Sequence, residues 1–77
     1  MPVNSYTASL FKQGLPKILE KIDEEAGEVI RAVKSEGKQR TVEEISDLLY
    51  HLIVLMTGQK ISWSKIIQCL KKRNKKT

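Results

Sequence analysis

Glu25 and Glu28 stand three residues apart, and so do Glu44 and Asp47. On a helix, positions three apart lie about 60° from one another around the axis, so each pair can offer two carboxylates to one ligand. Asp23 and Glu24 precede the first pair, a local excess of negative charge that costs repulsion unless a cation offsets it. Several carboxylates, with His51 the only histidine and Cys69 the only cysteine, favour a hard cation such as Mg²⁺ or Mn²⁺ over zinc. Such an ion keeps bound water and takes phosphate oxygens, so the cluster suits attack of water on a polyphosphate. His51 follows Asp47 by one helical turn and reads as a hydrogen-bonded, partly buried support for the acids.

The elements that must carry these acids are helices. Glycines divide the chain into four segments whose apolar residues recur at three-and-four spacing, without strand-like alternation, which predicts an all-α fold. The first segment, SYTASLFKQ, has Ser5 as its candidate N-cap and Gly14 as its stop. Pro16 opens a second helix predicted to run to Glu36, before Gly37, with the apolar stripe Leu15, Ile18, Leu19, Ile22, Ala26, Val29, Ile30 and Val33. Thr41 followed by Glu44 is a capping-box pattern, so a third helix is expected from Thr41 to Thr57, stopped by Gly58. Capping is thus a role for Glu44 that competes with metal ligation. Ser62 is the expected cap of a last helix from Trp63 to Arg73, and Trp63 and Cys69 read as packing residues. Short connections predict an antiparallel bundle of two long helices with short flanking ones.

The third helix has two apolar sides. Val42, Ile45, Leu48, Leu49, Leu52, Ile53 and Met56 form its main stripe, which alone would suffice for a core. The other side mixes Glu44, Asp47 and His51 with Val54 and Leu55, so both sides are predicted to be covered. A single domain of 77 residues buries little surface and has no cysteine pair to staple it, so self-association is the expected source of further stability.

The net charge of +5 resides in the tail at 71–77, where Lys71, Lys72, Arg73, Lys75 and Lys76 lie; the rest of the chain balances nine basic against nine acidic residues. A neutral body argues against a broad phosphate-tracking surface, and the run KKRNKK reads as a solvated helix end with a frayed tail rather than a nucleic-acid arm. Tyr6, Tyr50 and Trp63 are too scattered for a base-stacking platform. No apolar run is long enough for a membrane span and no secretory signal pattern is present, and a lone cysteine fits a reducing compartment, so the expectation is a cytoplasmic protein.

The strings SYTASLF at 5–11, KIDEEAGE at 21–28, EISDLLYHLIVLM at 44–56 and LKKR at 70–73 resemble phosphoribosyl-ATP pyrophosphatases through nearly the whole chain. The two acid pairs alone are more distantly similar to MazG-type all-α nucleoside triphosphate pyrophosphohydrolases. The resemblance implies hydrolysis of phosphoribosyl-ATP to phosphoribosyl-AMP and pyrophosphate in histidine biosynthesis, by a homodimer. Carried over by position, it places the metal-binding acids on Glu25, Glu28, Glu44 and Asp47, and a further acid, proton acceptor or metal-shell member, on Glu24. Lys21, Ser5, Tyr6 and Thr7 match positions expected to contact substrate, with Lys17 and Lys34 as additional phosphate contacts. The chain departs from the pattern twice: only MPVN precedes the SYT motif, where relatives have another helix, and Asp23 replaces a common glycine. An open site or altered packing, and a changed metal affinity, are the corresponding expectations. The cyclohydrolase domain fused to this activity in some relatives is absent from the sequence, so only the one step is expected of it.

Overall fold

Gly14 and Gly37 punctuate the chain with φ of 91° and 94°, a backbone that L side chains rarely adopt. The computed structural model describes residues 3–74. Helix α1 (Val3–Gln13) ends where the Gly14 N–H bonds the Leu10 carbonyl at 3.0 Å. The Gly14 carbonyl then accepts from the Lys17 and Ile18 N–H groups to open α2 (Leu15–Arg31), with Pro16 in the first turn, where its missing N–H is harmless.

The predicted single helix to Glu36 changes character near its end: after Arg31 the chain forms a π turn, Ala32–Glu36, closed by the Gly37 N–H to the Ala32 carbonyl at 3.1 Å. Of the stripe expected along this helix, Leu15, Leu19 and Ile30 are exposed before the turn and Val33 within it, whereas Ile18 is buried, as is Ala32 beside the stripe. Because Gly37 has already reversed the chain, α3 (Lys38–Gly58) starts three residues before Thr41. The expected capping box is therefore not formed. Thr41 lies inside the helix and its hydroxyl donates back to the Gly37 carbonyl at 2.9 Å. Ser5 likewise lies inside α1 rather than capping it. Gly58 is the last residue of α3 and Lys60, with φ 59°, takes the left-handed position; Gly58 is small for another reason, since an added Cβ would sit 3.3 Å from Phe11 Cε1. Ser62 does accept from the Lys65 N–H at 3.3 Å, at the start of α4 (Trp63–Asn74).

Helices α2 and α3 pack antiparallel: rising numbers on one meet falling numbers on the other, Ile18 with Val54 and Glu25 with His51. Leu10, Ile18 and Val54 form the buried centre, with Tyr6, Ile22, Tyr50 and Leu55 packed around it. No strand occurs among the described residues, in agreement with the all-α expectation.

The structure inverts the expected use of α3. Glu44, His51 and Val54 are its buried residues, whereas Val42, Ile45, Leu49, Leu52 and Ile53 of the main stripe are exposed. Helix α4 buries none of its residues, and Trp63 and Cys69, expected to pack, are exposed within the chain. Lys71, Lys72 and Arg73 are exposed on its last turn, as read from the sequence; the expected fraying at 75–77 lies outside the described residues. The radius of gyration, 14.4 Å, exceeds the roughly 11.5 Å of a compact chain of this length, the signature of helices with uncovered faces.

Candidate active site

Along α2 the inward positions run Ile18, Ile22, Glu25, so the helical period places a carboxylate where an apolar residue would otherwise fill the core. Glu25 is 6% exposed. On α3 the same arithmetic brings Glu44 and His51, two turns apart, onto the side that faces α2, each 4% exposed. Two carboxylates and the histidine are thereby enclosed between α2 and α3.

Burial is the main cause that raises the Glu25 carboxyl above its ordinary range; the charge of Asp47 pushes it the same way and His51 opposes. Contact with the Glu28 carboxyl raises Glu44 first, then burial, then the charges of Glu28 and Asp47, against the guanidinium of Arg40. Glu25 and Glu44 thus both sense Asp47, and Glu28 meets Glu44 across the groove. The acids converge in pairs; among the described residues, no three ligand-type side chains gather into a ready-made metal cage.

Two atoms are conspicuous for what they lack. Glu25 Oε1 and Glu44 Oε1 are buried without a hydrogen-bond partner. His51 Nδ1 comes within 2.5 Å of Glu25 Oε1, but its N–H is directed at the Asp47 carbonyl, 2.9 Å away, leaving the carboxylate oxygen without an aligned donor. Arg40 Nη2 reaches the other oxygen of Glu44 at 2.5 Å, while its Nη1 pairs with Glu43 and its Nε, at 3.7 Å, with Glu36. Buried anionic oxygens without donors are costly, and a cation is one of the few groups that relieves them. Glu28, Arg31, Glu36, Arg40 and Glu44 line a groove of about 180 Å³. At about 30 Å³ per water it has room for a hydrated ion. Mg²⁺ is commonly held by one or two carboxylates together with waters and phosphate oxygens, so paired acids fit it without a complete protein cage.

The remaining sequence candidates fall into two groups. Lys21 lies beside the acids with Nζ 3.3 Å from Glu24; burial lowers its pKa, but the bond to Glu24 and the charges of Glu24, Tyr6 and Glu25 together outweigh this and the net shift is upward. Glu24 and Asp47 are exposed. Lys17, half-buried, pairs with Glu20 at 3.4 Å, and Lys34 is exposed on the π turn. Of the SYT motif only Ser5 is exposed: the Tyr6 hydroxyl lies 2.6 Å from His51 Nε2, and the Thr7 hydroxyl bonds that of Tyr50. Sequence reasoning missed Arg40, although its spacing before Glu43 and Glu44 is that of helical ion pairs. It also missed the Tyr6–Tyr50–His51 cluster, which no local spacing announces because Tyr6 comes from another helix.

Fold and site together define an all-α domain with an acid-lined groove between two antiparallel helices. Comparison with known proteins gives this class a family: the family model described as phosphoribosyl-ATP pyrophosphohydrolase matches residues 1–74. The chain is 49% identical over 74 residues to a phosphoribosyl-ATP pyrophosphatase of Leptospira biflexa, covering 96% of this chain and 80% of that protein. It is 47% identical over 75 residues to a phosphoribosyl-ATP pyrophosphatase of Metallosphaera sedula, covering 97% and 81%. Against the histidine biosynthesis bifunctional protein HisIE of Bacillus subtilis the identity is 45% over 74 residues, 96% of this chain and 35% of the longer protein. The chain belongs to the phosphoribosyl-ATP pyrophosphohydrolase family, whose members are hydrolases acting on a pyrophosphate bond.

Proposed function

We propose that the protein hydrolyses phosphoribosyl-ATP between its α and β phosphates, releasing phosphoribosyl-AMP and pyrophosphate, with a divalent cation held by Glu25, Glu28, Glu44 and Asp47. The observation that carries this reading is the pair of buried carboxylate oxygens, Glu25 Oε1 on α2 and Glu44 Oε1 on α3, left without donors in a chain of this family. When bound, Mg²⁺ or Mn²⁺ supplies neutralisation of phosphate charge and acidification of bound water. Glu24 is exposed beside Glu25 and held by Lys21, a placement suited to taking the proton lost by the attacking water. Lys21, half-buried and bonded to Glu24 beside Glu25, is better placed for the leaving phosphates than Lys17, which pairs with Glu20, or Lys34, which is exposed.

The active unit in this reading is a homodimer. The exposed apolar residues Val42, Ile45, Leu49 and Ile53 are a face that water alone does not favour, and a second copy of the chain covers it with matching chemistry. No helix among the described residues is long and apolar enough to cross a membrane, so this face is not assigned to a bilayer span. The cytoplasm, supplied with nucleotide and Mg²⁺, is the compartment that suits the reaction. The test is incubation of the purified chain with phosphoribosyl-ATP, dCTP and dUTP, each with Mg²⁺, while pyrophosphate is followed. Release from phosphoribosyl-ATP alone is the expected result. Preferential release from dCTP or dUTP would reassign the substrate to ordinary nucleoside triphosphates, and release from none would remove the enzymatic reading.

A further inference from the structure

Tyr6 of α1, Glu25 of α2 and His51 of α3 meet at one point, although they lie far apart in the sequence. A backbone carbonyl only accepts, so the 2.9 Å contact with the Asp47 oxygen assigns the proton to His51 Nδ1. In the neutral ring Nε2 is then an acceptor, and the Tyr6 hydroxyl, 2.6 Å away, donates to it. Aromatic walls hold the imidazole in place: it meets the Tyr6 ring edge-on at 5.5 Å and 89°, and the Tyr50 ring at 5.2 Å and 84°. Those two tyrosines stack on each other at 5.9 Å, and the Thr7–Tyr50 hydroxyl bond ties the cage to α1 a second time.

The consequence falls on Glu25. His51 Nδ1 stands 2.5 Å from Glu25 Oε1, close enough to set where the carboxylate lies, yet its N–H points elsewhere, so the oxygen keeps its lone pairs for another ligand. In the opposite tautomer the Nδ1 lone pair would face the Asp47 carbonyl oxygen and be repelled by it, so the ring would turn and its contact with Glu25 would shift. We propose that His51, locked by the Tyr6 hydroxyl, is a positioning residue that aims the Glu25 carboxylate at the divalent cation. The SYT segment then acts through His51 on the metal site, rather than only through contact with substrate. This inference rests on the metal-dependent reading above.

Tyr6→Phe isolates the effect, because it keeps the ring in its cage and removes only the hydroxyl. Mn²⁺ binding to the full chain without nucleotide, followed by electron paramagnetic resonance, is expected to weaken about 10-fold, the lower end of the loss seen when a partner of a metal ligand is removed. The half-saturating Mg²⁺ concentration for hydrolysis should rise by a similar factor. Long-range ¹H–¹⁵N spectra should show His51 as the Nδ1–H tautomer in the parent and as a mixture in Tyr6→Phe. His51→Gln, which retains an N–H donor, should bind Mn²⁺ more tightly than His51→Leu, with the metal-free melting temperatures of all variants recorded as the measure of folding. Parent-like Mn²⁺ affinity in Tyr6→Phe or His51→Leu would overturn the positioning role. So would a raised nucleotide KM in Tyr6→Phe with unchanged Mn²⁺ affinity, the mark of a direct substrate contact. Failure of the parent itself to bind Mn²⁺ would instead bring down the metal-dependent reading, and this inference with it.

Discussion

One side of α3 buries Glu44 and His51 together with Val54, while the opposite side leaves Val42 54%, Ile45 48%, Leu49 47% and Ile53 44% exposed. Ordinary solvation would arrange these faces the other way, because enclosed carboxylates lose hydration and exposed aliphatic side chains order water. Each face makes sense with a group from outside the single chain. In the proposed reading a cation would stabilise the acid face, and a second copy the aliphatic face. Within the chain, the side of α3 that carries Glu44 and His51 is the one turned toward α2, not the side with the more apolar stripe.

Breaking the acid face should have the largest effect. Glu28→Gln keeps the shape of the groove and removes one charge opposite Glu44, so pyrophosphate release should fall by more than about 100-fold, beyond the loss expected for an outer partner of a metal ligand. Its association state should stay that of the parent. A variant with more than about one-tenth of parental turnover would detach Glu28 from the site.

Breaking the aliphatic face should do the reverse. Leu49→Arg places a charge at the middle of the exposed stripe and should weaken self-association by about 30-fold or more, the equivalent of about 2 kcal/mol at a central interface residue. Sedimentation across a concentration series checks this directly. The parent's melting temperature should rise with protein concentration, and that of Leu49→Arg should rise less. A parent that is monomeric at micromolar concentration, with a melt independent of concentration, would contradict the dimer.

The smallest expected effect is a pH dependence that belongs to the acid face alone. Glu25 and Glu44 titrate above the ordinary carboxylate value of 4.5 in the metal-free protein. Between the unfolded value and the raised folded value the native state holds the extra proton, so stability falls as the pH rises through that window and is recovered on acidification. Glu43, exposed and drawn down first by its bond from Gln39 and then by Arg40, works in the opposite direction. The metal-free parent should therefore melt at higher temperature near pH 5 than near pH 7, by a few degrees, once compared with Glu44→Gln, which retains Glu43. An identical pH response in the two proteins would refute the assignment.

Periodicity made the helices legible, together with the placement of Glu44, Asp47 and His51 on one side of the third. It also ranked the two sides of that helix by apolarity. Such a ranking cannot tell which side is covered within a chain and which by another molecule, so the main stripe was expected in the core and lies outside it. The capping box at Thr41 was misread because Gly37, with φ 94°, had already opened the helix, which a local pattern of Thr and Glu does not reveal. Likewise the π turn at Ala32–Glu36 leaves no mark on the apolar spacing. The acid pairs were read from three-residue spacing, but the Tyr6 contact with His51 joins residues 45 apart and depends on how α1 folds back.

In the proposed reading, the groove between α2 and α3 is strained by charge when empty and active when it holds a cation. Glu44→Gln tests it most directly, with thermal melting recorded with and without Mg²⁺ and pyrophosphate release from phosphoribosyl-ATP measured on the same samples. The account predicts a metal-free variant at least as stable as the parent, because the surroundings of Glu44 disfavour its charge on balance despite Arg40. It also predicts loss of the Mg²⁺-induced rise in melting temperature and loss of hydrolysis. A variant that is destabilised without metal yet hydrolyses like the parent would show that Glu44 is only the partner of Arg40, and would contradict the account.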